Sequence, residues 1–194
     1  MAQLKMFCPA QPLREMPIPA GCTVKNFDRE EEIAIWVDIC KNGILRPEDG
    51  VESFERTIRN CPDLCPEEDL FFVLCDGEYA ATIAAIYHPD RKIGHVHMVT
   101  AKPEFRGRGI GNWMTYLALK HIYEKGKTEV RYTFLTTDDF RKPAVRSYLK
   151  AGFLPVDYEP DMQERWQKLI DELEIPETTM VDEQCSPVRR LVRG

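Results

Sequence analysis

Nothing in the 194 residues approaches the roughly 18 consecutive apolar positions that a membrane-spanning helix requires. Residues 1–20 also lack the apolar block of a secretory signal; they hold prolines at 9, 12, 17 and 19 and charges at Lys5, Arg14 and Glu15. Positive charge is in deficit. Lysine plus arginine number 26 against 32 acids, a net charge of −6, which argues against a protein built mainly to grip nucleic-acid phosphates. A cytoplasmic chain with neither a membrane nor a nucleic-acid partner is the expectation. The seven cysteines are an odd number in a chain long enough to bury a core without staples, so reduced thiols are the default. Cys61 and Cys65 form C-x3-C, but no second Cys or His pair stands near enough to complete a zinc site, and no metal is expected. Internal repeats and low-complexity linkers are absent too, which favours one domain.

What is present is a globular composition, 43% hydrophobic and 10% aromatic. The four early prolines make residues 1–20 an irregular lead-in. Residues 22–27 alternate like a half-buried strand, and Asp28 is placed to cap a helix whose inner face is Ile33, Trp36, Val37 and Cys40. Pro47 opens a second helix with Val51, Phe54 and Ile58 inward. Strands follow at 70–75, 79–87 and 93–100, the first two joined at Asp76-Gly77. A helix over 110–124, a strand over 130–136, a helix over 143–151 and a strand over 153–158 complete the pattern. An amphipathic helix over 161–174 buries Met162, Trp166, Leu169, Ile170 and Leu173, and the tail beyond Pro176 has no usable pattern. Hairpins first and helical crossovers later give a mixed sheet with helices on both faces.

The richest stretch is Pro103-Glu104-Phe105-Arg106-Gly107-Arg108-Gly109-Ile110-Gly111-Asn112-Trp113, between a strand and a helix. Amides at a helix N-terminus have no intrahelical acceptor and the dipole there favours an anion. Three glycines let a phosphate approach the backbone closely, and Arg106 and Arg108 add charge. A plain flexible connection is the alternative. A nucleotide-hydrolysing P-loop needs Lys followed by Ser or Thr, which is absent, and the dinucleotide fingerprint read from Gly107 needs glycine where Asn112 stands.

On these residues the sequence resembles the GNAT superfamily of acyl-CoA N-acyltransferases. The pattern [RQ]-x-x-G-x-[GA] is met by Arg106, Gly109 and Gly111, and A-x-x-x-Y-x-K-x-G-F by Ala144, Tyr148, Lys150, Gly152 and Phe153. The likeness runs from about residue 22 to residue 158. It implies an α/β fold of the α+β type, the GNAT fold, with a mixed, mostly antiparallel sheet flanked by helices on both faces. It also implies a transferase domain over 21–158, preceded by the lead-in and followed by a C-terminal helix and tail over 159–194. Acetyl-CoA is the implied cosubstrate, its pyrophosphate held by backbone amides over Arg106, Gly107, Arg108, Gly109, Ile110, Gly111 and Asn112. Met98, Val99 and Thr100 would pair with the pantetheine arm and polarise the thioester carbonyl. Tyr148 would protonate the departing thiolate; the alternative is a tyrosine that merely packs.

Of the four histidines, His95 and His97 bear on the chemistry, while His88 and His121 do not enter this reading. Both lie on one face of a strand, and their placement is similar to that in arylalkylamine N-acetyltransferases, where such histidines remove a proton through water. The alternative is a pair of satisfied strand histidines. His97 leads because it is nearer the thioester-binding strand end. Arg141 stands where many family members have Asn, which removes one cofactor contact; Arg141 or Lys142 pairing with a CoA phosphate, or plain solvated cations, are the readings left. Asp138 and Asp139 are candidates for acceptor binding or for a helix cap. The implied activity is acetyl transfer to a primary amine, of a small molecule ahead of a protein. The competing expectation is a silent acyl-CoA sensor of the same fold. The segments outside the core either cover the sheet or build a homodimer contact.

Overall fold

The computed structural model describes residues 2–194. In chain order it begins β1 (Leu4–Pro9), β2 (Cys22–Asn26), α1 (Glu32–Cys40), α2 (Glu52–Phe54) with a π-type continuation (Glu55–Arg59), and α3 (Pro66–Asp69). Next come β3 (Leu70–Cys75), β4 (Glu78–His88), β5 (Ile93–Ala101) and, after a 3-10 turn (Pro103–Phe105), α4 (Ile110–Gly126). The rest is β6 (Tyr132–Thr137), α5 (Lys142–Lys150), β7 (Leu154–Pro155), α6 (Met162–Glu172), β8 (Glu177–Val181) and β9 (Pro187–Val192). Two compact units result: one is Pro12–Val130, and the other joins the segment up to Gln11 with Arg131–Gly194. Among the described residues no helix is long and apolar enough to cross a membrane.

In the Pro12–Val130 unit, β2, β3, β4 and β5 form an antiparallel meander, paired from Cys22 opposite Cys75 to His88 opposite Ile93 with register shifts at Val73/Leu74 and Thr82/Ala84. The strand residues at 70–75 are apolar at nearly every position because both faces are covered. On one face lies a cluster built on Phe27, Trp36, Phe54, Ile58, Leu70 and Phe72, with the Trp36 ring edge-on to Phe54 at 5.3 Å. Helix α1 buries Ile33, Trp36, Val37 and Cys40 as the spacing predicts. The second helix starts later than Pro47, at Glu52, so Val51 falls outside it and is 57% exposed. Asp28 does not cap α1: the N-cap is Glu31, and the Asp28 carboxylate pairs instead with Lys25 and Arg29.

Glu32 explains that shift. It is fully buried, and its oxygens accept from the Lys25 ammonium, the Tyr79 hydroxyl and the Asp28 amide. Burial opposes its charge, but those three donors outweigh burial and hold the carboxyl down at about 2. Its folded value lies below the ordinary 4.5, so its stabilisation is fully present above about pH 4.5 and is lost as pH falls through about 2. We expect Glu32→Gln to lower stability at pH 7 by about 3 kcal/mol, the gap to wild type closing toward pH 2. Urea denaturation across that range measures it; parallel curves at every pH would remove the assignment.

In the other unit, β1 lies between β6 and β7, antiparallel to both, with Leu4 opposite Thr137 and Met6 opposite Pro155. The lead-in is thus a strand over six of the twenty residues expected to be irregular, since the prolines begin only at its last residue, Pro9. Leu4, Met6, Phe7 and Cys8 are buried. The strand expected over 153–158 shrinks to β7 plus a parallel bridge from Val156 to Val181. The tail without a pattern is the β8–β9 hairpin. Helix α6 buries Met162, Trp166, Leu169 and Ile170, and Leu173 follows at its end.

The default of reduced thiols fails at one pair. Cys22 and Cys75 stand opposite each other on β2 and β3 and form a disulfide, while Cys8, Cys40, Cys61, Cys65 and Cys185 are thiols. Among the described residues no group of three or more His, Cys, Asp or Glu is arranged to hold a metal ion.

Candidate active site

The glycine-rich bend forms at the N-terminus of α4. Gly107 and Gly109 have φ of 79° and 82°, a region that side-chain-bearing residues enter at a cost, and Gly109 is the N-cap. A Cβ built on Gly107, Gly109 or Gly111 would meet nothing within 4 Å, so open space faces all three positions. The Trp113 amide donates to the Gly109 carbonyl at 3.1 Å, and the amides of Ile110, Gly111 and Asn112 come before that bond. No side chain among the described residues caps this helix end. Ile110, Trp113 and Met114 are buried and anchor the first turn to the unit's core, while Gly111 and Asn112 face outward.

The arginines of the bend are engaged within the protein. The Arg106 amide donates to the Pro103 carbonyl, and its guanidinium donates to the carbonyls of Ala101 at 3.1 Å and Asn42 at 2.7 Å. Arg106 therefore ties the bend to the end of β5 and to the loop after α1. Arg108 pairs with Asp76 at 3.1 Å and lies over the Phe105 ring. Both side chains brace the turn.

Just before the bend, β5 is irregular. Thr82 pairs with Thr100 and Ala84 with His97, so Met98 and Val99 together oppose the single residue Ile83. Met98 has a φ of 51°, and this bulge turns the local peptide groups out of the regular ladder. The Met98 side chain packs against the α1–α2 cluster, and Thr100 is buried beside Thr82. The resemblance implies a thioester-binding backbone at these three residues, but the sequence carries no sign of the bulge, because no glycine marks it.

His95 and His97 lie on one face of β5 as the alternation predicts, with ring centroids 4.9 Å apart. His97 Nε2 is 3.0 Å from the Thr57 carbonyl in the π-type turn. A carbonyl only accepts, so Nε2 carries the hydrogen and Nδ1 is the nitrogen left to take a proton. Burial holds both imidazoles neutral. Burial, then repulsion from His97, His88 and Arg91, drives His95 down to about 3, whereas His97 is lowered by burial with the Thr57 bond opposing.

The second motif lies in the other unit. Tyr148 is on α5, buried, with its ring 5.9 Å from Phe153. Burial pushes its phenol up to about 12, with Arg141 pulling weakly the other way. Gly152, φ 93°, ends α5: its amide donates to Leu149 and the Phe153 amide reaches back to Tyr148, a Schellman closure that accounts for Gly-Phe in the motif. Arg141 pairs with Asp138 at 2.8 Å, and Asp139 binds Arg165 through two bonds. Both aspartates are thus engaged by arginines, and the α5 N-cap is Arg141.

Comparison with known proteins identifies the family and the fold. The profile of the acetyltransferase (GNAT) family matches residues 31–153. Curated relatives include the mycothiol acetyltransferase of Thermomonospora curvata, 29% identical over 154 residues that cover 77% of this chain and 50% of that protein. The mycothiol acetyltransferase of Streptomyces bingchenggensis is 29% identical over 157 residues, 78% of this chain and 48% of that protein. The chain spans about half the length of the curated relatives it matches. A GCN5-related N-acetyltransferase from Sphaerobacter thermophilus superposes with a TM-score of 0.61 at 22% identity, covering 78% of this chain and 47% of that one. The expected α+β fold, with its mostly antiparallel sheet and helices, is therefore the observed one.

Proposed function

Because the chain belongs to the GNAT family of acetyltransferases, we propose that it moves the acetyl group of acetyl-CoA directly onto a primary amine, with a small molecule as the acceptor. One observation carries this reading: a bulged strand at Met98–Val99 leads within a dozen residues into an open, glycine-lined helix N-terminus. The amides of the bend over Gly107 to Asn112 hold the diphosphate; in support, a Cβ at Gly107, Gly109 or Gly111 would meet nothing within 4 Å. The peptide groups of Met98, Val99 and Thr100 receive the pantetheine arm and stabilise the oxyanion that develops on the thioester carbonyl. The mycothiol acetyltransferase relatives support an acceptor of the small-molecule kind.

The acceptor arrives as an ammonium and gives one proton to Nδ1 of His97, through water. His97 serves better than His95. Charging His95, held at about 3, costs about 5 kcal/mol relative to an ordinary imidazole, too much for a resting base. That sum still sits well below the ~16 kcal/mol barrier of a reaction at about ten turnovers per second, so His95 is able to carry a proton briefly. Once the C–N bond has formed, the C–S bond breaks, and Tyr148, protonated at every working pH, supplies the proton that the thiolate takes. The nitrogen's second proton restores the phenol, leaving one proton per turnover to be released.

Mixing the protein with acetyl-CoA and a panel of glucosamine, tyramine, L-2,4-diaminobutyrate and a lysine peptide tests this. We expect thiol release with at least one small amine. Acetyl-CoA binding in calorimetry with no thiol release from any amine would favour a sensor instead, and no binding at all would end both readings.

A further inference from the structure

The histidine pair of β5 does not end at His95. His88, the last residue of β4, stacks on it with ring centroids 6.0 Å apart and an interplanar angle of 24°. His88 Nδ1 in turn donates to the Asp63 carboxylate at 2.7 Å. Thr57, His97, His95, His88 and Asp63 therefore form one row within a single unit, and its Asp63 end opens to solvent. The His88 side chain is 12% exposed and that of Asp63 is 42% exposed. Asp63 sits in the left-handed region, φ 62°, in the tight turn closed by the Leu64 amide and the Cys61 carbonyl, a conformation aspartate tolerates better than most residues.

We infer that His95, His88 and Asp63 form the exit path by which the proton taken up at His97 reaches solvent, with His88 and Asp63 as its positioning residues. The inference rests on the acetyl transfer proposed above. One proton enters at Nδ1 of His97 from the acceptor ammonium and one leaves from His88, by way of His95, so the row returns to its starting state each cycle. Asp63 fixes the Nδ1–H tautomer of His88, which makes Nε2 the basic nitrogen of that ring, and the carboxylate sets a negative charge at the solvent end. The groups facing the row are Arg91 and His97 against His95, the Thr57 carbonyl against His97, and Cys61 against Asp63. Arg91 repels a proton that lingers at His95; Asp63 attracts it outward.

The test uses Asp63→Asn and His88→Gln in the whole chain, with acetyl-CoA and whichever amine of the panel gives thiol release. At low buffer concentration kcat is expected to fall about tenfold in both variants, most strongly below neutral pH, with KM for acetyl-CoA unchanged and tens of millimolar imidazole restoring most of the rate. NMR of the ring nitrogens supplies a second readout that needs no acceptor: in Asp63→Asn the His88 signals report loss of the fixed Nδ1–H tautomer and the His95 signals shift with them. A variant rate that follows wild type at every pH overturns the path, as does a loss that is uniform with pH and insensitive to imidazole, or a His88 shift without response at His95. A wild type that turns over no amine overturns the transfer reading and the path with it. An active wild type with unaltered variants overturns only the path.

Discussion

Replacing Tyr148 with phenylalanine is expected to lower turnover about a hundredfold while leaving the affinity for acetyl-CoA within about twofold of wild type. The ring is buried on α5 against Phe153, and phenylalanine keeps its volume and rotamer, so the helix and its Gly152 closure stay in place. Only the hydroxyl is lost. Its value of about 12 means that it is protonated across the whole working range, so a donor is always ready. A free thiolate is the weaker base, near 8.5, which makes the transfer uphill in water. A thiolate leaving into surroundings as dry as those of this phenol is raised by the same desolvation, and the mismatch narrows. Because the donor acts on the leaving group, the loss falls on kcat and not on cofactor binding. Steady-state thiol release together with calorimetry checks both halves. Wild-type turnover in the variant would take the acid role away from Tyr148, and an equal loss of affinity would make it a binding residue.

The elements that the sequence displayed well are those whose signals are local. The strands at 70–75 and 79–87 carry an Asp-Gly turn between apolar runs, and the bend before α4 announces itself through three glycines. What stayed hidden depends on partners far along the chain. β1 has buried Leu4, Met6, Phe7 and Cys8, but its pairing is with Thr137 and Leu135, and four prolines outweighed four apolar residues when read in isolation. The β8–β9 hairpin turns without glycine: the Asp182 carboxylate accepts from the amides of Gln184 and Ser186, and Cys185 takes the positive φ. The disulfide needed the register of two strands, which no spacing of 53 residues discloses. In the candidate site, the alternation of His95 and His97 was legible because a strand's period is two. The bulge at Met98 was not, for want of a glycine, and Asp63 beside His88 was not, since a turn brings it there.

Gly109→Asp should give the opposite signature to Tyr148→Phe: acetyl-CoA affinity falling by about a hundredfold or more, with the fold retained. A side chain at φ 82° strains the backbone by about 1–2 kcal/mol, least for aspartate and asparagine, and this strain is present with or without cofactor. Nothing lies within 4 Å of the new Cβ, so no packing is disturbed and the variant's melting temperature should drop only modestly. The affinity loss has a different origin. A carboxylate about 5 Å from a diphosphate, at the effective dielectric of a protein surface, repels each negative charge by about 3 kcal/mol, and each 1.4 kcal/mol is tenfold in Kd. Gly109→Ala separates the two effects, since it brings the strain without the charge. If the amides opening α4 hold the pyrophosphate, alanine weakens binding several-fold and aspartate far more, and added salt narrows the difference between them. Calorimetric affinities equal for wild type and Gly109→Asp would place the diphosphate elsewhere. Equal losses in both variants would mean that the bend's shape, rather than its field, is what the cofactor requires.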